Sequence, residues 1–253
     1  MFITLKNMKK SFMFVMMAAF ALAACQKGGN TSPDVRTFGF TGDVKEVFLS
    51  TMDPDLLEED DVDPWLEEEI LEFSFDAQGR VNEDDYGNIF IYDAEGNLLD
   101  NESGNRTLTR DGQGRLLNYV NEVLDEDGEF FDEDADVFDF CDITYTYDAK
   151  GRRVTEEYGG WEWGATYTYE YKGDAFYPIR VSYESFSEGW NDNGTIDYEY
   201  LEFDDKGNWT VRNVHRVSNS YEEPWEEDME PEIETMETNT REYHKITYWS
   251  DKD

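Results

Sequence analysis

A seven-residue pattern that occurs five times constrains the fold of this chain more than any other feature. Each copy carries an aspartate at its second position and a glycine at its fifth, and the copies begin at Phe75, Tyr92, Arg110, Tyr147 and Phe203. An aspartate at the start of a tight turn accepts hydrogen bonds from the backbone that follows, and a glycine supplies the positive φ that closes a type I turn with a bulge. The pattern therefore predicts a hairpin turn at each copy.

The segments around these turns alternate apolar and polar residues, as in 143–147 and 196–200. This two-residue period is typical of half-buried β-strands. Fourteen strands are predicted, of which 88–92 and 97–100 flank the second copy of the pattern. Because short connections favour the pairing of consecutive strands, the predicted fold is all-β. It is an antiparallel meander of hairpins that forms a curved or partly rolled sheet within a single domain, residues 35–253.

The seven-residue pattern resembles the YD repeat of the RHS family, in which an aromatic residue precedes the aspartate and an aliphatic residue follows the turn. The resemblance covers roughly residues 70–215. Two copies depart from it: Arg110 replaces the aromatic residue in the third, and Arg153 replaces the aliphatic residue in the fourth. RHS proteins wind many such hairpins into a large closed shell around a toxin, which the resemblance would imply only for a much longer chain. It implies here a short YD-repeat-like lipoprotein of Bacteroidota without a toxin domain.

Residues 1–25 have the features of a lipoprotein signal peptide. Lys6, Lys9 and Lys10 precede an apolar run that ends in Leu-Ala-Ala-Cys, with the cysteine at Cys25. Such a run is removed by the signal peptidase, and the cysteine becomes the lipid-modified first residue. Residues 26–34 are then predicted to be a flexible tether between the lipid and the domain.

The residue after the cysteine is Gln26 rather than aspartate. By resemblance to bacterial sorting rules, this favours the outer membrane over the inner membrane. The sequence leaves open whether the protein lies on the periplasmic face or on the cell surface. A membrane, reached through the lipid anchor, is therefore one predicted partner.

The negative charge of the chain is concentrated in three segments. Removal of the three signal-peptide lysines leaves 18 of the 21 basic residues against 60 acidic ones. This balance excludes nucleic acid as a partner, because binding it requires cationic side chains that displace counterions. Half of the acidic residues fall in 53–69, 121–142 and 222–237, which contain no lysine or arginine. Each segment follows an odd-numbered predicted strand, so an up-and-down meander places all three acidic loops at one edge of the sheet.

Two interpretations of the acidic loops remain open. The charge keeps a surface protein soluble and partly disordered, or the carboxylates bind calcium, which tolerates irregular arrangements of oxygen ligands. The sequence contains no match to the calcium loop of an EF-hand. No other cofactor is expected.

The aromatic residues of the C-terminal half supply the predicted ligand-binding residues. Most of them alternate with polar residues in strands and are expected to form the core. Trp161, Trp163 and Trp190 instead stand beside glycine and asparagine residues in predicted loops, where they would stack on a glycan. His215 and His244 are too few for a zinc site without help from carboxylates. The sequence has no catalytic motif, so no catalytic residue is predicted.

These features predict a non-catalytic lipoprotein of the cell envelope that acts as a binding or scaffold module. A glycan-binding protein that uses the three tryptophans is the alternative. An enzymatic function, hydrolysis of an envelope polysaccharide, is a further and less favoured alternative. The expected partner beyond the membrane is a glycan or another envelope protein.

Overall fold

The computed structural model shows twelve β-strands and one short helix in the residues that it describes. These are residues 31–52, 65, 70–83, 89–93, 95–99, 104–123, 141–160, 163–187, 189–222 and 231–251. The elements are α1 (Pro33–Thr37), β1 (Val44–Met52), β2 (Ile70–Phe75), β3 (Val81–Glu83), β4 (Gly104–Arg110), β5 (Leu116–Val123), β6 (Cys141–Tyr147), β7 (Arg153–Gly159), β8 (Trp163–Glu170), β9 (Arg180–Ser187), β10 (Trp190–Phe203), β11 (Trp209–Glu222) and β12 (Glu234–Tyr248).

The strands form a single antiparallel sheet, which confirms the predicted meander. From β4 to β12 each strand pairs with the next one in the chain, and β12 then pairs with β1, which is followed by β2 and β3. The N-terminal strands therefore continue the sheet beyond its last strand. The sheet remains open, with β3 and β4 as its two edges.

Two of the predicted strands, 88–92 and 97–100, are wrong. Among the residues described there, the structure shows isolated bridges instead of strands. These bridges join Glu83 to Ile89 and Tyr92 to Leu98. Only ten residues separate Val81 from Tyr92, which is too few for β3, the predicted strand 88–92 and their connection at the usual length of about five to six residues per strand. The predicted strand 97–100 is lost with 88–92, its expected hairpin partner. The directions of β4–β12 relative to β1–β3 are set by the antiparallel pairing of β12 with β1.

The alternating strand directions give the sheet two distinct ends. The odd-numbered strands β1, β5 and β11 run in the same direction, and each leads into one acidic segment from which the next strand returns. The strand ends that flank the three segments therefore lie together, as strand counting predicted, at what we call the acidic end. The seven-residue turns that join sheet strands lie at the opposite end, the turn end. Within the acidic segments, residues 53–64, 66–69, 124–140 and 223–230 lie outside the described residues.

All five predicted turns are confirmed. In each turn the glycine amide donates to the carbonyl oxygen of the aspartate over 2.8–3.2 Å, and the glycine has a positive φ of 75–89°. Oδ1 of the aspartate accepts the amide of the residue after the glycine over 2.8–3.0 Å. The glycines are Gly79, Gly96, Gly114, Gly151 and Gly207.

These hydrogen bonds favour the charged form of the turn aspartates. Burial would raise the pKa of Asp148, but hydrogen bonds from the backbone and side chain of Arg152 outweigh it and hold that pKa below its ordinary value of 3.8. The pKa of Asp111 is lowered too: desolvation opposes the shift, and hydrogen bonds from the backbone and side chain of Arg115, with further contributions from the turn, outweigh it. A carboxylate with a depressed pKa in the folded state stabilises the fold above its unfolded pKa. That contribution is lost as the pH falls through the folded value.

The substitution Asp148→Asn should reveal this pH dependence. At about pH 7 we expect the variant to unfold at a lower temperature, because the amide loses the charge that the Arg152 guanidinium contacts over 2.7 Å. The difference in Tm should shrink as the pH falls below 3.8, since the wild-type carboxylate then also becomes protonated. Thermal unfolding of both proteins across this range measures the difference. A difference that stays constant with pH would show that the charge of Asp148 contributes nothing.

Basic residues of the turns also connect neighbouring hairpins. The guanidinium carbon of Arg80 lies 4.4 Å from the ring centroid of Tyr92, and that of Arg115 lies 4.5 Å from Tyr147. In both pairs the tyrosine belongs to the next copy of the pattern. Cation–π attraction and the apolar stem of the arginine both favour this contact. The pattern therefore stabilises the packing between hairpins as well as each turn.

The core lies on one face of the sheet, around α1 and the residues that follow it. Val35, Phe38 and Phe40 are buried there. The ring of Phe73 from β2 lies 4.8 Å from Phe38 and 5.7 Å from Phe40, measured between centroids. The same cluster contains residues of β5, β6 and β7 from the other half of the sheet. The sheet therefore curls around this N-terminal segment, and the enclosed face is concave.

Asp34, which the sequence placed at the end of the tether, is buried in α1 with 1% of its surface exposed. Its carboxylate binds the guanidinium of Arg110, with Oδ2 2.8 Å from Nη2 and Oδ1 close to Nη1. Oδ2 also accepts the amide of Val81 over 3.1 Å. Arg110 therefore departs from the repeat pattern because it neutralises a buried carboxylate.

Candidate functional site

A cavity of about 210 Å³ lies on the concave face near the turn end. The segment after α1, the connection from β8 to β9, and strands β2 and β7–β12 supply its walls. Eight aromatic side chains line it, together with four acidic or basic residues. These four are Glu72, Arg153, Arg212 and His244. An aromatic cavity with a few polar groups is typical of a ligand-binding site.

Arg212 on β11 is held between two aromatic rings. Its guanidinium carbon lies 4.0 Å from the centroid of Tyr198 and 3.9 Å from that of Trp209. Nε donates to Oε2 of Glu242 over 2.6 Å. Burial would lower the pKa of Arg212, but the negative charge of Glu242 outweighs it and raises that pKa. The side chain is therefore a fixed, charged part of the cavity wall.

Arg153, the residue that departs from the repeat pattern in the fourth copy, is the second arginine of the wall. Its Nη1 lies 2.7 Å from Oε2 of Glu156, and its guanidinium carbon lies 4.3 Å from the ring centroid of Tyr169. Burial opposes its charge, but the charge of Glu156 raises the pKa of Arg153 well above its ordinary value. Nε of Arg153 is buried and has no hydrogen-bond partner among the described residues.

The third polar group of the wall is the pair of Glu72 and His244. Nε2 of His244 lies 2.6 Å from Oε2 of Glu72, and only 1% of the histidine side chain is exposed. The imidazole stacks on Trp209 with 3.5 Å between centroids. Burial opposes the charge of Glu72, but the charge of His244 outweighs it and lowers the pKa of Glu72. Oε2 of Glu72 and both ring nitrogens of His244 are buried, and none of them makes a hydrogen bond of good geometry within the described part of the chain, so the pair is a close contact of the two groups.

The acidic groups in and around the cavity are paired within the fold. Glu72 of the cavity wall contacts His244. Two buried carboxylates outside the cavity wall, Asp34 and Glu156, are each paired with an arginine. Glu156 also accepts the hydroxyls of Tyr158 and Tyr169 over 2.7 and 2.5 Å. Its hydrogen-bonding capacity is therefore occupied within the fold.

The structure describes two of the three tryptophans predicted to bind a ligand. Trp163 and Trp190 are the first residues of β8 and β10, so their predicted loop positions are wrong. Backbone pairing extends to these residues because both are opposite Ser187 of β9. Trp161 and the predicted lipidation site, Cys25, lie outside the described residues.

The shared partner Ser187 places both tryptophans on the same face of the sheet, two strands or about 10 Å apart. Trp190 is 56% exposed, whereas Trp163 packs against the core. Both lie where their strands leave the acidic end, away from the cavity. The tryptophan pair and the cavity are therefore separate surfaces.

The two histidines have different environments. His215 is partly exposed, and its Nε2 lies 2.9 Å from Oε1 of Glu237. His244 belongs to the cavity. Among the described residues, no group of three or more His, Cys, Asp or Glu side chains is arranged to hold a metal ion.

Sequence reasoning missed the cavity. Its polar residues come from segments as distant as Glu72 and His244, and neither they nor Arg212 belong to a motif. Arg153 was the one available signal, because it interrupts the repeat pattern where an aliphatic residue was expected.

Comparison with known proteins does not assign this cavity to a family. In the part of the chain that the structure describes, no helix is long and apolar enough to cross a bilayer. No protein-family model matches the chain, and no curated protein matches it significantly. The interpretation of the cavity therefore depends on its own geometry.

Proposed function

We propose that this chain is a non-catalytic binding module of the cell envelope and that the cavity on the concave face is its ligand site. In this proposal, lipid on Cys25 holds the protein at the outer membrane. The resemblance of its turns to the YD repeat supports a short lipoprotein of that type. The open sheet would serve as a rigid frame for the cavity.

A cavity walled by aromatic rings and charged side chains is the observation that carries this proposal. Nε of Arg153 and Nδ1 of His244 are buried without hydrogen-bond partners in the described structure. A buried polar group without a partner costs about 1–3 kcal/mol. These atoms are inaccessible to a water-sized group, so the fold bears this cost beside the cavity.

A cavity-filling variant tests this proposal. Ile196 lines the cavity, and Ile196→Phe should occupy part of the space that a ligand needs. Ile91→Phe is the matched control, because Ile91 is 58% exposed. The test panel comprises galactose, N-acetylglucosamine, galacturonate, D-alanine and muramyl dipeptide, and saturation-transfer NMR measures binding to the purified protein.

We expect at least one member of the panel to bind the wild type and the Ile91 control equally. The same compound should bind Ile196→Phe at least about tenfold more weakly, since even one lost favourable contact of 1.4 kcal/mol has that effect. Unchanged binding by Ile196→Phe, or no binding by any member of the panel, would refute the cavity as the ligand site.

A second candidate function is glycan binding by the tryptophans at the acidic end. The observation that favours it is the common face of Trp163 and Trp190, together with the exposure of Trp190. Trp190→Ala should then abolish binding of a soluble oligosaccharide. Trp249→Ala, which removes a 45% exposed tryptophan at the turn end, should leave it unchanged. Equal binding by both variants would exclude this second function.

A further inference from the structure

We propose that the lipid-anchored protein contacts the bilayer with its turn end, that Trp249 lies among the lipid headgroups there, and that the acidic end points away from the membrane. This proposal deepens the proposed function and rests on it, because it requires lipid on Cys25. It follows from the reach of the tether, from the side chains where the chain enters the fold, and from the position of the acidic segments.

The tether between the lipid and the fold is short. Thr31, the first described residue, is only six positions after Cys25. Six extended residues span at most about 22 Å, at up to roughly 3.6 Å each. Oγ1 of Thr31 accepts the amide of Gly42 over 2.9 Å, and Gly42 lies just before β1, which begins at the turn end. The lipid therefore keeps the turn end close to the bilayer surface.

The tether alone permits two orientations of the protein. It can stand upright on its turn end, or it can lie on its side so that both ends touch the bilayer. The two ends are far apart, because the 14 residues of β11 run from one to the other. A strand of that length spans about 45 Å, at about 3.3 Å per residue. The charge of the acidic end decides between the two orientations.

Repulsion favours the upright orientation. The three acidic segments hold half of the acidic residues of the chain and no lysine or arginine. Anionic headgroups repel these residues within about 10 Å of the membrane surface, the Debye length at 0.1 M salt. In the upright orientation the acidic end lies about 45 Å away, where the repulsion is screened. In the other orientation it lies against the headgroups.

The turn end carries balanced charges instead. Ion pairs neutralise three of the seven-residue turns, and these pairs are Arg80–Asp76, Arg115–Asp111 and Arg152–Asp148. In the fifth turn, Nζ of Lys206 donates to Oδ1 of Asp43 over 3.1 Å. This end can therefore approach an anionic surface without strong repulsion.

Trp249 lies where the chain enters the fold. Its amide donates to the carbonyl oxygen of Asp43, the residue after Gly42, over 3.0 Å. Its Nε1 donates to the carbonyl oxygen of Phe75 over 3.2 Å. The residue is nevertheless 45% exposed, and Nζ of Lys45 lies 5.7 Å from the ring centroid. A tryptophan beside a lysine suits the boundary between lipid and water, because both side chains combine an apolar part with a polar tip.

Quenching of tryptophan fluorescence by brominated lipids tests this proposal. The lipidated protein is purified from membranes and reconstituted in vesicles of phosphatidylethanolamine and phosphatidylglycerol, and mass spectrometry first establishes whether Cys25 carries lipid. Bromine on the acyl chain near the headgroup quenches tryptophans that contact the bilayer. Trp249→Phe removes the proposed contact. Trp190→Phe is the matched control, because Trp190 is 56% exposed and lies at the acidic end.

We expect the brominated lipids to quench the wild type and Trp190→Phe to the same extent, and Trp249→Phe to lose most of the quenching. Lys45→Glu is a second variant that leaves the tryptophan in place. It should also weaken the quenching, because a carboxylate beside Trp249 is repelled by phosphatidylglycerol. Lys45 contacts Glu46 at the surface, so its loss should change stability little, and thermal unfolding establishes that all three variants are folded.

Other outcomes would overturn the proposal in different ways. Quenching that is lost in Trp190→Phe but kept in Trp249→Phe would show that the acidic end contacts the bilayer. Equal quenching in all variants would place the contact on another surface, and an unquenched wild type with lipid on Cys25 would show that the fold stays clear of the bilayer. These results leave the cavity as the ligand site, which Ile196→Phe tests separately. An unmodified Cys25 would refute the anchored address in the proposed function and this orientation with it.

Discussion

Replacing Arg110 with methionine should lower the free energy of unfolding by about 3–5 kcal/mol, because it leaves a buried carboxylate without its counterion. Asp34 is 1% exposed, and both of its oxygens contact the guanidinium of Arg110. Methionine retains much of the apolar stem, so the loss reports mainly on charge. Urea unfolding of the wild type and the variant measures the difference.

Two further variants distinguish charge from packing. Adding Asp34→Asn to Arg110→Met should recover part of the lost stability, because the remaining buried group is then neutral. Arg180→Met removes an arginine whose partner, Asp197, lies at the surface with it, and it should change stability little. A double variant less stable than Arg110→Met alone would mean that the ion pair is not what Arg110 contributes.

The turns and the pairing of consecutive strands from β4 to β12 were predictable because their causes are local. Each turn requires an aspartate and a glycine three residues later, and both are visible in the sequence. The alternation of apolar and polar side chains predicted most of the strands. Their count predicted that the strand ends beside the acidic segments lie at one end of the sheet. The two strands that were wrong lie where the repeats are closest together, and there the spacing between Val81 and Tyr92 limited strand length more than residue type did.

The buried ion pairs were not predictable because their partners are far apart in the chain. Asp34 and Arg110 are separated by 76 positions, and no sequence period relates them. The repeat pattern still held a signal. Arg110 and Arg153 are the two arginines that replace expected aromatic or aliphatic residues, and both are paired with buried carboxylates. A charged residue at an inward-facing position of a repeat therefore indicates a buried partner.

The pairing of β12 with β1 was also absent from the sequence prediction, and it builds the cavity. It brings His244 of β12 against Glu72 of β2, with β1 between their strands. A meander that simply ended at β12 would leave these two residues at opposite edges of the sheet. The candidate site therefore depends on a long-range pairing that residue patterns alone do not encode.

The third turn allows the effect of a positive φ to be measured with an internal control. Gly114 has a φ of +81°, and a Cβ there would meet only Pro33 Cγ at 3.5 Å, an ordinary contact. Gly112 lies two residues earlier without a positive φ, and a Cβ there would have open space. The two positions thus differ in backbone conformation far more than in their surroundings.

Gly114→Val should therefore lower the free energy of unfolding by about 1–3 kcal/mol, because a β-branched residue is strained at positive φ. Gly112→Val should stay within about 0.5 kcal/mol of the wild type, as is usual for a surface substitution. Gly114→Asn should recover much of the loss, since asparagine tolerates the left-handed region. Urea unfolding of the three variants measures these differences. If Gly112→Val and Gly114→Val were equally destabilising, bulk in the turn would be the cause, and the glycine of the repeat would not be required for its φ.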